Sequence, residues 1–394
     1  MFAAGPCVQV SENSINWRNL IAACAAVCVF SFSLGEVFPL LSLNLESRGV
    51  SPKMIGLNAA MGPIGILLAG MIVPKLSHAF GPRAVAMCMA LGAALIFLAY
   101  PSFPTLWAWF PLRLLQGICV ATLFALSEAW VLGNAKGTKR GLVIGVYATC
   151  ISATFGVGPA VIGWVGIAGY LPFVIGAGVL LVTILPISLV TPQAGDAEHE
   201  HISILRFAPK APLLLTAISV HAIFDGGMLS FLPVYAVRMG MSIESAAVTI
   251  TALAFGNVVF QIPIGWIAGH TSKAGAMITC FITVVITLIL LPFAITTFWQ
   301  WPLIVIAGAA GFGIYTVGLA ELGDRFHGAD LIAGTSAFAF MWGLGALVGS
   351  VICGTAMDHF GPNGFPAALV AIFCAYLLAR LLRGWRRRVA RANA

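Results

Sequence analysis

The chain has 394 residues, of which 60% are hydrophobic and only 8% charged, with a formal net charge of +7. About a quarter of the residues of a soluble domain are charged, so the composition excludes a water-soluble globular protein. Nucleic-acid binding is excluded as well, because the cations collect between apolar segments on one side of a bilayer rather than forming a basic patch.

The N-terminal stretch MFAAGPCVQVSENSINWRN is polar for too long to be the charged start of a cleavable signal, and the apolar run behind it is long enough to span. A bilayer core about 30 Å thick takes about 20 residues of helix. Twelve stretches near that length follow one another: 18–43, 54–74, 83–101, 107–131, 141–163, 170–190, 212–236, 246–268, 275–296, 301–321, 332–354 and 364–383. The 43 glycines and 21 prolines do not argue against helices here, since neighbouring helices and cavity water satisfy freed backbone groups. Of the nine cysteines all but Cys7 lie in apolar spans, without CxxC spacing, so they read as small packing residues. No disulfide framework, metal site or cofactor is expected.

With the N-terminus placed in the cytoplasm, sixteen of the twenty Lys and Arg residues fall on the inside and three, Arg48, Lys53 and Arg238, on the outside; Arg113 sits within a span. This positive-inside bias predicts a multi-pass protein of the bacterial inner (plasma) membrane with both termini cytoplasmic. The tail GWRRRVARANA is expected to anchor the last helix at anionic headgroups.

The longest polar stretch, 191–211, reads as a cytoplasmic linker between a six-helix bundle at 1–190 and a second bundle with the basic tail at 212–394. His199 and His201, one residue apart, lack the further ligands a metal site needs. The halves resemble each other at an offset near 191: Arg48-Gly49-Val50-Ser51 answers Met239-Gly240-Met241-Ser242, Gly65 answers Gly256, and Gly158 to Gly163 answers Gly349 to Gly354. The fold expected is therefore an all-α membrane protein, twelve transmembrane helices in two pseudo-symmetric six-helix bundles around a central cavity.

At these residues the chain resembles the major facilitator superfamily over its whole length. The superfamily loop Gly-x-x-x-Asp-Arg-x-Gly-Arg is answered by Pro74 to Arg83; Gly81 and Arg83 survive, whereas Pro74 and His78 replace the first glycine and the aspartate. In the second half the stretch from Gly265 to His270 again loses the acid. The fourth span matches Arg-x-x-Gln-Gly as Arg113-Leu114-Leu115-Gln116-Gly117. The resemblance implies alternating access and assigns Pro74, His78, Gly81 and Arg83 to gating. It also implies a pathway that includes Gln116, Tyr147, Tyr315 and Trp342, whose rings suit stacking on a ring-containing solute.

Ionisable groups inside spans cost at least about 2.5–3.5 kcal/mol at the helix centre, so each calls for a role. Glu36 and Arg113 fall at similar depth in the first and fourth spans and are expected either to share a substrate contact or to form a structural ion pair. His221 and Asp225, four apart on one helical face, are expected to form either a proton-coupling dyad or a buried polar knot beside Gly226-Gly227. Glu128 and Glu321 fall near the inner ends of the fourth and tenth spans, where Glu321 reaches Arg325 one turn on as a gate or a loop anchor. Trp17, Trp107, Trp109, Trp299 and Trp301 fit an interfacial belt.

Without a P-loop or a convincing nucleophile or metal set, neither ATP coupling nor enzyme activity is expected. The expectation is a monomeric secondary transporter of a small organic solute, either proton-linked or facilitated, that leans toward uptake of a metabolite or vitamin such as riboflavin. The alternative is a proton-coupled multidrug or metabolite exporter.

Overall fold

A computed structural model of the chain describes residues 17–134, 140–190 and 207–392. The N-terminal stretch, most of the predicted linker with its two histidines, and the loop at 135–139 lie outside the described residues. Among the described residues the secondary structure is helical throughout: α1 Trp17–Ser47, α2 Pro52–Phe80, α3 Pro82–Ser102, α4 Leu106–Asn134, α5 Arg140–Val165, α6 Leu171–Leu189, a 3-10 turn Ala208–Lys210, then α7 Pro212–Arg238, α8 Ile243–His270, α9 Lys273–Ala294, α10 Gln300–Arg325, α11 Gly328–Phe360 and α12 Gly364–Ala392. Eleven are long and apolar enough to cross a membrane, and the twelfth, α5, has a shorter apolar stretch, Thr149–Val165.

Several helices outrun the predicted spans, α2 to Phe80 and α11 to Phe360, because a helix leaving the apolar core keeps its backbone hydrogen bonds in the headgroup layer. Local chemistry sets the turns. Gly49 and Gly240 take positive φ (72° and 101°) just after α1 and α7, and Ser51 and Ser242 then stand at the N-cap positions of α2 and α8, where the Ser242 hydroxyl also accepts from the Ser245 N–H. The repeated sequence thus builds the same corner twice.

The helices of each half pack by the same rule: α1 on α4, α5 and α6, α2 on α4, α3 on α4 and α6; and correspondingly α7 on α10, α11 and α12, α8 on α10, α9 on α10 and α12. The closest approaches fall at glycines. A Cβ on Gly65 would strike the Leu114 carbonyl of α4, and one on Gly117 the Gly62 carbonyl of α2; in the second half Gly256 meets the Val305 carbonyl and Gly308 the Leu253 carbonyl. Gly35 and Gly158 join α1 to α5 against Phe155 and Phe32, as Gly226 and Gly349 join α7 to α11 against Ala346 and Ile223. Lipid tails give apolar helices no reason to associate, so contact between backbones at small residues has to supply the attraction. α3, α6, α9 and α12 lie outermost and present Leu95, Leu185, Ile286, Phe293 and Leu381 on the outside of the bundle, an apolar surface suited to lipid.

α1 begins and α12 ends on one face, the terminal face; the far face is opposite. The halves meet through α2 with α11, α5 with α8, and α1 with α7. Near the far face this seam is tight. A Cβ on Gly56 would hit the Ser350 carbonyl and one on Gly354 the Pro52 carbonyl, while Thr251 Oγ1 donates to the Gly156 carbonyl (2.8 Å). Arg238 at the end of α7 donates twice to Glu46 at the end of α1, at 2.7 and 3.0 Å. Toward mid-depth α11 meets α2 through the flexible Leu67 side chain opposite Gly343.

Sequence reading did not single out the Glu46–Arg238 pair. Its geometry is bidentate, but both residues are partly exposed, which limits it to about 1 kcal/mol, or about fivefold in a two-state equilibrium. Glu46→Gln is therefore expected to raise the reactivity of a cysteine put in place of Ser350, a near-isosteric change on the cavity wall just inside this seam, toward a membrane-impermeant maleimide by about fivefold. The swapped double variant Glu46→Arg with Arg238→Glu should restore protection. Unchanged labelling in the single variant would mean that the ion pair does not help to hold the far seam.

Candidate functional site in the central cavity

Between the two halves lies a narrow cavity of about 40 Å³, lined by α1, α2 and α4 from the first half and by α7 and α11 from the second. That volume holds only a few waters, so a solute enters by widening it. Most of the wall is apolar, and the polar groups in it are few. Arg113 and Gln116 project from α4, Asp225 from α7, and Trp342 and Ser350 from α11.

Asp225, 4% exposed, is held by Trp342, whose Nε1–H donates to Oδ2 at 2.8 Å. Arg113, 5% exposed, lies over the Phe38 ring, its guanidinium carbon 5.4 Å from the centroid. Gln116 accepts through Oε1 from the Tyr100 hydroxyl at 2.7 Å, and Tyr100 packs edge-on against Trp109. Among the described residues Arg113 Nη1, Gln116 Nε2 and Asp225 Oδ1 have no hydrogen-bond partner.

The structure does not bring Glu36 to Arg113. Glu36 is fully buried inside the first half, beside Gly158 of α5 and against Gly176 of α6, with neither oxygen hydrogen-bonded. Counting residues from a helix end gives the distance along the helix but not the azimuth: one residue rotates a side chain by about 100°. The internal repeat carries the missing signal. At the common interval Asp225 corresponds to Leu34, which lines the cavity, and Glu36 to Gly227, which packs against Cys353 and Leu369.

The His221–Asp225 dyad is likewise absent. His221 Nδ1 lies 2.9 Å from the Gly311 carbonyl, which can only accept, so that nitrogen carries the proton; the ring packs against Phe312 and Tyr315 of α10. Asp225, one turn on, is turned to α11. Two residues on one broad helical face have been claimed by different neighbouring helices.

Glu128 is half-buried on α4 and lies within electrostatic reach of Tyr147 of α5 and Tyr315 of α10, on both sides of the seam. These three form a second polar layer, nearer the terminal face than Arg113. Tyr147 is buried with its hydroxyl unpaired among the described residues. Tyr315 packs on His221 and Phe338.

The residues expected to gate stay within their own halves. α2 continues unbroken through Pro74; His78 is exposed; Gly81 turns the chain with φ 80°; Arg83 donates to the Ser188 carbonyl, tying α3 to α6. Arg325 pairs with Glu321 one turn back on α10 at 2.8 Å, and Lys273 pairs with Asp324, tying α9 to α10. Neither pair crosses the seam, so both brace the second half. Trp107 and Trp299 are exposed as an interfacial belt requires, but Trp109 is fully buried and donates to the Phe103 carbonyl at 2.9 Å. Its neighbour Tyr100, the support of Gln116, is a site residue the sequence reading missed.

Comparison with known proteins agrees with this architecture. The family model described as Major Facilitator Superfamily matches residues 21–350. An uncharacterised MFS-type transporter of Bacillus subtilis (strain 168), YfkF, is 27% identical over 353 residues, covering 85% of this chain and 87% of the relative. An uncharacterised MFS-type transporter of Yersinia pseudotuberculosis serotype O:3 (strain YPIII) is 21% identical over 374 residues, 92% of this chain and 95% of that one. Among solved structures, a mutant of the nucleoside transporter NupG superposes with a TM-score of 0.77 at 12% identity, covering 93% of this chain and 99% of that one. A D-xylose-proton symporter superposes with a TM-score of 0.72 at 15% identity, covering 92% and 97%. At these identities the two structures bear on the fold alone.

Proposed function

The chain belongs to the major facilitator superfamily of secondary transporters, and from that premise we propose that it takes up a small organic metabolite across the bacterial inner membrane by alternating access, driven by protons. The observation that carries the reading is the cavity itself: opposite charges from the two halves face one space, and both are short of partners. A site shared between two bodies changes when they rock against each other.

The excess of Lys and Arg beside the terminal face makes that face cytoplasmic. The far seam then closes the protein toward the outside. Asp225 is the acid that faces the cavity and takes the coupling role; His221, tied to Gly311, does not share it. Phe38 and Trp342 suit a solute with a ring or another flat apolar part. A vitamin of the riboflavin type fits that coarse description and belongs on the test panel. One chain encloses the whole pathway, so a monomer suffices.

The test is uptake of a labelled metabolite panel by cells expressing the chain, with and without a protonophore. Saturable accumulation that the protonophore abolishes is expected. Saturable uptake indifferent to the protonophore would remove the proton and leave a facilitator; accumulation of substrates only in a deletion strain would reverse the direction to export.

A smaller effect is expected at Trp342. A hydrogen bond to a charged group is worth about 1.5–3 kcal/mol and about 1.4 kcal/mol is tenfold. Trp342→Phe, which keeps a ring but loses the donor to Asp225, should raise the KM for uptake about tenfold with the expression level unchanged. An unaltered KM would show that this bond does not orient Asp225 for the solute.

A further inference from the structure

The polar atoms left without partners in the cavity have a polarity that differs between its two walls. On α4, Arg113 Nη1 and Gln116 Nε2 are both donors, one turn apart on the wall of the first half; Gln116 turns its oxygen to the Tyr100 hydroxyl, which leaves its amide nitrogen without a partner among the described residues. On α7, Asp225 Oδ1 is an acceptor aimed from the second half, its companion oxygen already held by Trp342. All three side chains are more than nine-tenths buried. Charges at this depth are costly when unpaired, and Arg113 and Asp225 line the same small space without either free atom bonding the other.

We infer that the transported solute is amphoteric: an anionic group such as a carboxylate docks on Arg113 and Gln116, and a cationic group of the same molecule docks on Asp225. The inference rests on the transport reading above and narrows its substrate class. A solute with one charge would leave the opposite wall desolvated and unpaired, and a neutral solute would leave both, so the site discriminates by penalty as well as by attraction. The apolar lining between the two charged walls, Phe38, Val120 and Leu229 among it, takes the body that separates the two groups. Because the walls belong to different halves, only a molecule bearing both charges draws them together. An amphoteric aromatic compound is thereby favoured over an uncharged one such as riboflavin.

The experiment uses the purified full chain in proteoliposomes and matched sets of probes: phenylalanine, phenethylamine and 3-phenylpropionate; leucine, 3-methylbutylamine and 4-methylpentanoate; glycine betaine, choline and acetate; and the uncharged riboflavin, uridine and xylose. Saturable flux of the amphoteric member of at least one set is expected, with its single-charge partners competing at least 100-fold more weakly. Arg113→Gln should bring the amine level with the amphoteric compound, and Asp225→Asn should do the same for the acid. Arg113→Lys, which keeps the charge, should retain the preference and controls for misfolding. Equal competition by single-charge or neutral probes, or flux confined to neutral ones, would overturn the amphoteric assignment and leave transport standing. Flux that rises for every probe in both neutral variants would also overturn it, since Arg113 and Asp225 would then serve only each other. Absence of flux for all probes would overturn the transport reading and this inference with it.

Discussion

Asp225→Asn is expected to abolish accumulation of substrate against its gradient, cutting initial uptake in cells at least about thirtyfold while leaving the protein in the membrane at its normal level. Truncating one partner of a buried charged contact costs about 2–5 kcal/mol, and each 1.4 kcal/mol is tenfold. The asparagine keeps the shape and still accepts from Trp342 Nε1, so the loss isolates the carboxylate's charge and its proton. Any residual uptake should be indifferent to a protonophore, whereas wild-type uptake collapses with it. If the variant concentrates substrate as well as the wild type, and a protonophore still prevents this, Asp225 is not where the proton couples. Glu36, the other deeply buried acid among the described residues, then becomes the group to change, although it faces the interior of the first half and not the cavity.

An effect of similar size, of a different kind, is expected at Gly256. A leucine there would run into the backbone of α10 at Val305 and Ala309, and backbone cannot swing aside as a long side chain does. Overpacking costs about 1–3 kcal/mol even where neighbours give a little, and here α8 and α10 would have to part along their shared length. Gly256→Leu should therefore lower the yield of monodisperse protein on size-exclusion chromatography by about tenfold or more. Gly70→Leu, on α2, where an added Cβ meets open space, should leave it unchanged. Normal yield of both variants would show that the glycine contacts do not hold the half together.

These glycines also explain why so much of the architecture could be read from the sequence. Span length and hydropathy gave the helices, and the interval joining Gly65 to Gly256 gave the repeat, because both are one-dimensional properties of the chain. The site was less legible. Counting residues puts Arg113 and Asp225 inside their spans, and both line the cavity, as does Trp342, to which the family resemblance pointed, but the direction in which each side chain points depends on which helix stands beside it. Glu36 and Asp225 flank the corresponding glycines Gly35 and Gly226 on opposite sides, one after and one before, so one acid faces the interior of its half and the other the cavity. Glu46 and Arg238 were invisible for a related reason: each is an ordinary charge at a helix end, and only the closing of the halves makes them a pair.

The backbone-tight far seam has an electrical consequence. A transporter sits across a membrane potential worth about 2.3 kcal/mol per elementary charge for each 100 mV, and an unbroken file of water through it would let protons run down that potential with nothing carried in return. Where Gly56 lies against Ser350 and Gly354 against Pro52, main chain meets main chain with no room for a side chain between them. Such a contact admits no file of water. The small residues that let the halves touch therefore also act as insulation, and a larger side chain at Gly56 or Gly354 that still permitted folding would show itself as a leak: faster decay of an imposed pH gradient in empty proteoliposomes, before any substrate is added.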